Sequence, residues 1–378
     1  MEEWKKVKLG EILNFRRGHD LPHSEMQEGI IPVAGSNGII GFHNVATPIQ
    51  PIITIGRSGN IGVPYFYDIA WAHNTTLYID DFKGNNPKYL YYLLKTLPLS
   101  SFQGGSAVPT LNRNHIHPIE VYYTDNIVEQ DKIVSILSSL DNRIELNRRI
   151  NDNLEQQAQA LFKSWFVDFE PWGGKKPSDW KEGKLGDVII EVESGSRPKG
   201  GAEILGIPSI GAEKIESFGS YNYSGEKYVS KDFYSKMKRG HVKDGDVLLY
   251  KDGAYTGKCS MALDGFPYEN CAVNEHVFLL RTRDSKYQLY LYLTMTQADI
   301  RSMIHTLACA KAAQPGLNTS ELLNVETIVP TEDAMAKFNS IVFDMMHAIA
   351  NNAIENHRFA QLRDSLLPKL MSGELKIS

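Results

Sequence analysis

Residues 133–165 read IVSILSSLDNRIELNRRINDNLEQQAQALFKSW, and residues 338–370 read FNSIVFDMMHAIANNAIENHRFAQLRDSLLPKL. In both stretches the residues suited to a helix seam recur at spacings that alternate between four and three, which is the heptad pattern of a coiled coil. The seam positions of the first stretch are Ile133, Leu137, Leu140, Ile144, Asn147, Asn151, Leu154, Ala158, Leu161 and Trp165. Those of the second are Phe338, Val342, Met345, Ile349, Asn352, Asn356, Phe359, Arg363, Leu366 and Leu370. The sequence therefore predicts two long helices with matching seams.

The two helices belong to a longer internal repeat. Trp4 and Leu9-Gly10 recur as Trp180 and Leu185-Gly186, an offset of 176 residues. Further matches pair Ala72 and Asn74 with Ala272 and Asn274, and Leu111-Asn112 with Leu317-Asn318. The last offset is 206, so the second copy has gained about 30 residues before its helix. We expect four segments: a globular domain over 1–125, a helix within 126–170, a second globular domain over 171–330, and a helix with its tail over 331–378.

The relation between the copies predicts how the helices meet. A pseudo-two-fold axis across the seam makes them antiparallel, with Asn147 facing Asn356 and Asn151 facing Asn352. Buried asparagine at a seam position lowers stability but selects one register. We interpret these four as register residues; alternatively, they lie at the edge of the seam without a role. The predicted fold class is mixed α+β, with two α/β domains separated by two long helices that form an antiparallel coiled coil.

Composition limits the classes of function. The chain has 40 Lys and Arg against 45 Asp and Glu, a net charge of −5, which argues against a histone-like polyanion binder. Its three cysteines form no C-x-x-C pair, which excludes a disulfide framework and a Cys-rich zinc module. The opening MEEWKKVKLG lacks the apolar core of a signal peptide. We therefore expect a soluble cytoplasmic protein without membrane association.

Three motifs resemble those of type I restriction–modification specificity subunits. LFKSWFVDFEP at residues 161–171 is similar to the end of their central region, and LRDSLLPKLMSGEL at residues 362–375 is similar to their C-terminal region. Trp-x-x-x-x-Leu-Gly, beginning at Trp4 and at Trp180, resembles the start of each of their target-recognition domains. With the repeat, the resemblance covers the whole chain.

The resemblance implies a DNA sequence-specificity subunit. Its two globular domains would each read one half of an asymmetric, bipartite site in double-stranded DNA, and its helices would set the spacer between the halves. It would also hold two methyltransferase subunits, which bind S-adenosylmethionine and methylate adenine, and a restriction subunit. The chain itself would carry no catalytic residue, cofactor or metal. Two alternatives remain open: a coiled-coil scaffold that does not bind DNA, and an enzyme with an unrecognised active site.

Candidate DNA contacts follow from local chemistry. Residues 126–170 contain eight acidic against five basic residues, so the surplus acid lies mainly in the spacer and DNA affinity must come from basic clusters elsewhere. Paired hydrogen bonds let arginine read guanine and asparagine read adenine. The candidates are Arg16, Arg17, Arg57, Asn60, Asn112 and Arg113 in the first domain, and Arg197, Lys199, Lys214, Lys251, Tyr255, Lys258 and Asn318 in the second. Each could equally be a solvated surface residue. The basic run Lys227–Arg239 is expected to face phosphate or solvent.

Two further groups of residues lead to predictions of their own: an aromatic stretch and a pair of histidines. Trp165, Phe166, Phe169 and Trp172 form an aromatic stretch too apolar to stay in water. It is either a surface for a partner subunit or a part of the protein's own core. His115-x-His117 is not accompanied by a Cys or carboxylate motif, so we predict no metal site there.

Overall fold

The computed structural model describes residues 4–102, 110–284, 287–310 and 316–377. The chain divides into two compact units. Unit 1 comprises Met1–Asn142 with Phe359–Ser378, and unit 2 comprises Arg143–Arg358. Each unit has its own hydrophobic core, so each is described separately.

The first copy of the repeat begins with strands and ends in a long helix. Its elements are β1 (Lys5–Lys8), α1 (Leu9–Ile12), β2 (Asn14–Arg17), β3 (Ile31–Gly35), β4 (Gly38–His43), β5 (Ile52–Gly56), β6 (Pro64–Tyr67), β7 (Trp71–Ala72), β8 (Thr76–Asp81), α2 (Pro87–Lys95), α3 (Arg113–Ile116), β9 (Glu120–Tyr123) and α4 (Ile127–Phe166). The strands form a pair β1-β9, a four-stranded sheet in the order β2-β8-β5-β6, and a three-stranded sheet in the order β4-β3-β7.

The second copy repeats this plan. Its elements are β10 (Lys181–Lys184), β11 (Ile189–Ser194), β12 (Ile207–Ile210), β13 (Tyr228–Val229), α5 (Lys231–Lys236), β14 (Val247–Tyr250), β15 (Cys259–Met261), β16 (Ala272–Val273), β17 (Val277–Thr282), α6 (Gln288–Thr296), α7 (Ala298–Cys309), α8 (Thr319–Leu323), β18 (Glu326–Val329) and α9 (Glu332–Met371). The sheets are β10-β18, β11-β17-β14-β15 and β13-β12-β16, in the same relative order as before. In both copies the three-stranded sheet contains one parallel pair, β3 with β7 and β12 with β16. The predicted mixed fold class and internal repeat are confirmed.

The repeated Leu-Gly motif has the same packing in both units. Leu9 and Leu185 are fully buried, and their N–H groups donate to the carbonyls of Ile119 and Val325 at 2.8 and 2.9 Å. The glycine that follows Leu9 lies so close to His117 that an added Cβ would stand 2.9 Å from the histidine Cβ. The motif therefore joins the first strand of each copy to the segment before its long helix.

The long helices α4 and α9 contain 40 residues each, about 60 Å at 1.5 Å per residue. Asn126 caps the start of α4, because its side chain accepts hydrogen bonds from the N–H groups of Val128 and Glu129. None of the predicted seam residues is fully exposed. One detail differs from the heptad pattern: Met346, rather than Met345, is completely buried.

Contacts inside each unit show that the helices run antiparallel. In unit 2, Phe166 packs on Phe338 with ring centroids 4.9 Å apart, while Asn151 bonds to Asn352. Later residues of α4 therefore contact earlier residues of α9, as expected for an antiparallel pair. In unit 1, Arg363 makes a half-buried ion pair with Asp141 at 2.7 Å. The predicted antiparallel arrangement is confirmed.

The residues gained by the second copy lie in three places, one of them the connection between β15 and β16, which is longer than that between β6 and β7. The connection between β12 and β14 is longer than that between β3 and β5 and includes α5. Helix α7 follows α6, whereas only a turn of 3-10 helix, Leu99–Phe102, follows α2 in the described residues. In the described part of the chain, no helix is both long and apolar enough to span a membrane.

Candidate nucleic-acid interface

One end of the four-stranded sheet in unit 1 collects loops from separate parts of the chain. The N–H of Arg57 donates to the Thr75 carbonyl at 2.8 Å, and the N–H of Leu111 donates to the Arg57 carbonyl at 2.8 Å. The Ser36 N–H donates to the Thr75 hydroxyl at 3.3 Å. These bonds hold residues 36–37, 57–62, 73–75 and 111–113 side by side, and we name them loop group 1.

The candidates predicted in the first domain meet at this end of the sheet. Arg57, Asn60, Asn112 and Arg113 lie within loop group 1. Arg16 and Arg17 lie on β2, which reaches the same end because the Gly18 N–H donates to the Thr76 carbonyl at 3.0 Å. Residues that are far apart in sequence therefore lie at one end of the same sheet.

The arginines at this end of the sheet are little neutralised by acidic residues of the protein. Arg16 and Arg57 have no ion-pair partner among the described residues. Arg17 approaches Asp20 at 3.5 Å, but both side chains are largely exposed, and such pairs contribute less than about 1 kcal/mol. Arg113 donates to the Phe15 carbonyl at 3.3 Å. Their positive charge remains free to attract phosphate.

Equivalent bonds build a second loop group in unit 2. The Lys251 N–H donates to the His276 carbonyl at 3.2 Å, and the Leu317 N–H donates to the Lys251 carbonyl at 2.9 Å. The Gly195 N–H donates to the Asn274 carbonyl at 3.2 Å. Residues 195–199, 251–258, 274–276 and 316–318 thus form loop group 2, in which Lys251 takes the place of Arg57.

The same bonds correct one sequence match between the copies. The His73 N–H donates to the Ala34 carbonyl at 3.0 Å, and the Asn274 N–H donates to the Ile210 carbonyl at 3.0 Å. Asn274 is therefore the counterpart of His73, and its sequence match with Asn74 is wrong by one residue. The sequence match arose because the residue that follows His73 is also an asparagine.

The basic candidates of unit 2 are mostly paired with acids. Arg197 lies 3.1 Å from Glu275, Lys251 lies 3.5 Å from Asp252, and Lys258 lies 3.6 Å from Glu216. Lys199 is exposed and has no ion-pair partner among the described residues. In the basic run, Lys227 pairs with Glu213 and Lys236 with Asp232. The basic residues of loop group 2 are therefore more fully paired with acids than those of loop group 1.

Tyr255 projects from loop group 2. It is 61% exposed, and the ammonium of Lys258 lies 4.6 Å from its ring centroid. A cation held over an aromatic face is a favourable arrangement. The same ring could stack on a base or a sugar.

Lys214 is used inside unit 2. It is 8% exposed, and its ammonium donates to the carbonyls of Asn222 and Ser224 at 2.8 and 2.5 Å. The Glu226 carboxylate lies 3.9 Å away. Its ammonium is thus committed to fixing the loop between β12 and β13, so the prediction of a DNA contact at Lys214 finds no free group. The sequence could not show this, because an isolated lysine usually lies on the surface.

Asn112 and Asn318 cap short helices. The side-chain oxygen of Asn112 accepts from the Asn114 N–H at 3.0 Å, and that of Asn318 accepts from the Glu321 N–H at 2.8 Å. Both residues are exposed. In each residue the amide oxygen already accepts a capping hydrogen bond, and paired recognition of adenine would use that oxygen together with the amide nitrogen.

The four register asparagines do not behave alike. Asn352 donates to the side-chain oxygen of Asn151 at 2.9 Å, and Asn151 donates to the Ile349 carbonyl at 3.1 Å. Asn147, by contrast, donates to Glu355 at 2.6 Å. The side-chain oxygen of Asn356 is buried without a hydrogen-bond partner among the described residues. The structure therefore brings one of the two predicted pairs into hydrogen-bond contact.

The aromatic stretch packs largely within unit 2. Phe166 is 4% exposed, and Trp172 contacts Trp180 with ring centroids 4.6 Å apart. Trp165 packs on Trp172 at 5.5 Å, and Phe169 on Trp180 at 5.9 Å. The four aromatic residues thus form part of the unit's own core, with edges that remain half-exposed.

Burial favours the neutral form of two histidines of unit 1. Burial lowers the pKa of His117, and Arg113 and Lys83 lower it further. Its Nε2 accepts a hydrogen bond from the Phe15 N–H at 3.1 Å, which requires the neutral ring. Burial also lowers the pKa of His73 in loop group 1. Within the described residues, no three His, Cys, Asp or Glu side chains are grouped to hold a metal ion.

Sequence reasoning missed the basic residues of α7. Arg301 and His305 are both exposed and lie one turn apart, while Ile300 and Ile304 are buried against the unit. The available signal was the alternation of buried isoleucine and exposed polar residues at helical spacing. This helix has no counterpart in the first copy, so the repeat gave no help.

Comparison with known proteins agrees with this architecture. The family model described as the Type I restriction modification DNA specificity domain matches residues 1–156. The specificity subunit of the type I restriction enzyme MjaIX from Methanocaldococcus jannaschii is 28% identical, over 82% of this chain and 75% of that protein. The specificity subunit of HindI from Haemophilus influenzae is 24% identical, over 76% of this chain and 77% of that protein.

A solved structure shows the same fold. The S subunit of a type I restriction–modification system from M. genitalium matches with a TM-score of 0.65 and 16% identity, over 100% of this chain and 97% of that chain. The resemblance seen in the motifs is thereby confirmed: the chain is similar to type I restriction–modification specificity subunits over most of its length.

Proposed function

We propose that this chain reads an asymmetric, bipartite site in double-stranded DNA. Residues 1–125 and 171–330 are then the target-recognition domains, and each reads one half of the site. The observation that carries the proposal is that one sheet framework, built twice, presents two different loop groups. Loop group 1 offers Arg57 and Arg113, which have no acidic partner among the described residues, whereas loop group 2 offers Lys251, Tyr255 and Lys258. Unlike side chains at equivalent positions favour unlike half-sites.

The spacer is attributed to α4 and α9, within residues 126–170 and 331–378. Two observations support this role: neither helix is interrupted over 40 residues, and buried polar contacts fix their register. Half-sites on one face of a duplex lie about 34–36 Å apart for each helical turn. Helices about 60 Å long are sufficient to separate two such half-sites.

Catalysis is assigned to partners. Two methyltransferase subunits would bind S-adenosylmethionine and methylate adenine, and a restriction subunit would cleave unmodified DNA, in the cytoplasm where the DNA lies. This chain would supply the choice of sequence and the surface that holds the subunits together. It would act without a catalytic group or cofactor of its own.

Binding measurements on the assembled methyltransferase complex test the proposal. The complex is titrated with duplexes of random sequence at several salt concentrations, and the bound fraction is sequenced. We expect enrichment of one two-part sequence. Equal binding to all duplexes would instead indicate a scaffold that ignores DNA sequence. Calorimetry of the isolated chain with S-adenosylmethionine tests the enzyme alternative, for which binding by this chain alone would be required.

A further inference from the structure

A cleft of about 410 Å³ opens in unit 2 between loop group 2 and helix α7. Its polar lining comes from Tyr255, Lys258, Arg301, Ser302 and His305, together with threonines 256 and 296. Among the described residues, no carboxylate lines it. In a protein with a net charge of −5, a cleft lined by a lysine, an arginine and a histidine without an acid is a local positive feature.

The two walls of the cleft are fixed against each other. Gly257 has a φ of +99°, and a Cβ added there would touch the Arg301 carbonyl and Ile304 at 3.5 Å. The turn is closed by the Thr256 hydroxyl, which donates to the Gly253 carbonyl at 2.7 Å. Ile300, Ile304 and Ala308 bury the opposite face of α7. The basic side chains are therefore presented from a rigid support.

The cationic groups of the cleft are available to an anion. Arg301 is exposed and has no ion-pair partner among the described residues. Lys258 has one acidic neighbour, Glu216 at 3.6 Å, in a partly exposed pair that contributes less than about 1 kcal/mol. Arginine donates two parallel hydrogen bonds to a phosphate, and the Ser302 hydroxyl and the imidazole of His305 add further donors.

Unit 1 lacks this arrangement in its described residues. Gly62, with a φ of +76°, occupies the place of Gly257, and an added Cβ would meet the Ser100 nitrogen at 2.7 Å. The segment it touches is the 3-10 turn Leu99–Phe102, which contains no basic residue. The cleft therefore belongs to the additional residues of the second copy.

We propose that this cleft binds phosphates of the DNA backbone beside the half-site read by the second domain. The proposal rests on the proposed function and adds a contact that positions the duplex without reading bases. Tyr255 and Lys258 lie both in the cleft and in loop group 2, which makes the backbone contact continuous with the base-reading loops. Such contacts strengthen binding to all sequences equally and increase its dependence on salt.

The test uses the complete methyltransferase complex and a duplex that carries its methylation site. Equilibrium binding is measured from about 50 to about 300 mM salt, because the salt dependence of the affinity reports the number of phosphate contacts. The proteins compared are wild type, Arg301→Ala, Arg301→Lys and the double variant Arg301→Ala/His305→Ala. The matched control is Lys181→Ala, which removes an exposed cation of unit 2 that does not line the cleft. Both α7 positions are exposed, so folding should be retained.

We expect Arg301→Ala to reduce the slope of log K against log salt by about 1, and the double variant by about 1 to 2. Arg301→Lys should keep most of the slope, and Lys181→Ala all of it. The ratio of affinities for the methylation site and for unrelated DNA should not change. An unchanged slope in a complex that still selects its site would overturn the cleft proposal alone.

Other outcomes also contradict it. A selective loss for the methylation site would mean that Arg301 reads bases, and loss of assembly with the methyltransferase subunits would mean that α7 contacts a protein. If the wild-type complex selects no sequence, the proposed function fails and this inference fails with it. The wild-type titration therefore separates the two failures.

Discussion

Arg57 and Lys251 occupy equivalent positions in the two copies of the fold. Each follows a central strand, and the carbonyl of each accepts a hydrogen bond from the leucine of a Leu-Asn pair. The framework is thus the same, but the side chain differs. The guanidinium of Arg57 has no acidic partner in the part of the chain that the structure describes, whereas Lys251 lies near Asp252 and 4.8 Å from the ring centroid of Phe278. This is the scale at which the two half-sites are expected to differ.

Arg57→Ala should weaken discrimination in one half-site only. If Arg57 pairs with a guanine, its loss lowers the preference for that base by about 1–3 kcal/mol. Lys251→Ala is the reciprocal control and should act on the other half. Each base pair of the site is changed in turn, and binding to the assembled complex is measured. The same loss in both halves for either variant would contradict the assignment of one half to each domain.

His117 should make the stability of unit 1 sensitive to pH. Its pKa is below the ordinary value of 6.5 in the folded protein, so the unfolded chain binds more protons as the pH falls below that value. The stabilising contribution of neutral His117 is therefore complete above pH 6.5 and is lost as the pH falls. We expect the urea midpoint to decrease more between pH 7 and about pH 5.5 in wild type than in His117→Gln. His115→Gln, which removes an exposed neighbour, should behave as wild type. Identical pH profiles for wild type and His117→Gln would exclude this role.

Among the polar contacts between α4 and α9, one joins two asparagines of the seam, Asn151 and Asn352. Asn151 is 7% exposed and takes part in two hydrogen bonds, one to Asn352 and one to Ile349. Removing one amide leaves the other buried with an unpaired donor or acceptor, which costs about 1–3 kcal/mol. Register is favoured because any slip would break these bonds in the seam.

A double-mutant cycle should detect this pair. Asn151→Ala and Asn352→Ala should each destabilise unit 2, and the double variant should cost about 1 kcal/mol less than their sum. The control cycle uses Asn147 and Asn356, which have the same predicted role but no mutual hydrogen bond. Urea unfolding of the full chain, followed by the fluorescence of the unit 2 tryptophans, gives the free energies. Equal coupling in both cycles would refute the distinction.

The helices and the repeat could be predicted from the sequence, because both depend on local period and on residues that recur. Their exact packing could not: the complete burial of Met346 rather than Met345 depends on which side chains the partner helix presents. The same holds for the pairing of β7 and β16, where one identical residue misaligned the copies. Strand register is set by partners distant in sequence.

The candidate site was predicted in part. Short motifs such as Gly-Arg-Ser-Gly and Leu-Asn located the loops, since glycine-rich turns and capping residues have local signatures. They did not show which side chains would be bonded within the protein, as the ammonium of Lys214 is. Helix α7 was missed because its basic residues are ordinary in type and become a cleft only through contact with Gly257.

The whole chain consists of two copies of one arrangement, in which sheets of the same strand order are followed by a long helix. The sheets recur in the same order, and each 40-residue helix contributes residues to both units. The net charge of −5 says little about a DNA partner, because the acidic surplus is greatest in residues 126–170. The proposed function then requires that the helices, rather than the loops, decide the length of the spacer.

Lengthening both helices should lengthen the DNA spacer. One heptad inserted after residue 142 and one after residue 358 keeps the seam pattern and adds about 10 Å to each helix. At about 3.4 Å per base pair, this corresponds to roughly three base pairs. Sites selected by the assembled complex from a random library should keep both half-sites and change the interval. As a control, an insertion in α4 alone should disrupt assembly. An unchanged interval would reject the spacer role.

The proposed reading of a bipartite site can be tested by sequencing that detects methylated adenine, on DNA from cells producing this chain with its methyltransferase partners. It yields both half-sites and the interval between them in one measurement. We expect a two-part motif with unlike halves, separated by a fixed number of unspecified base pairs and lost when this chain is omitted. A palindromic or continuous motif, or methylation that does not depend on this chain, would contradict it.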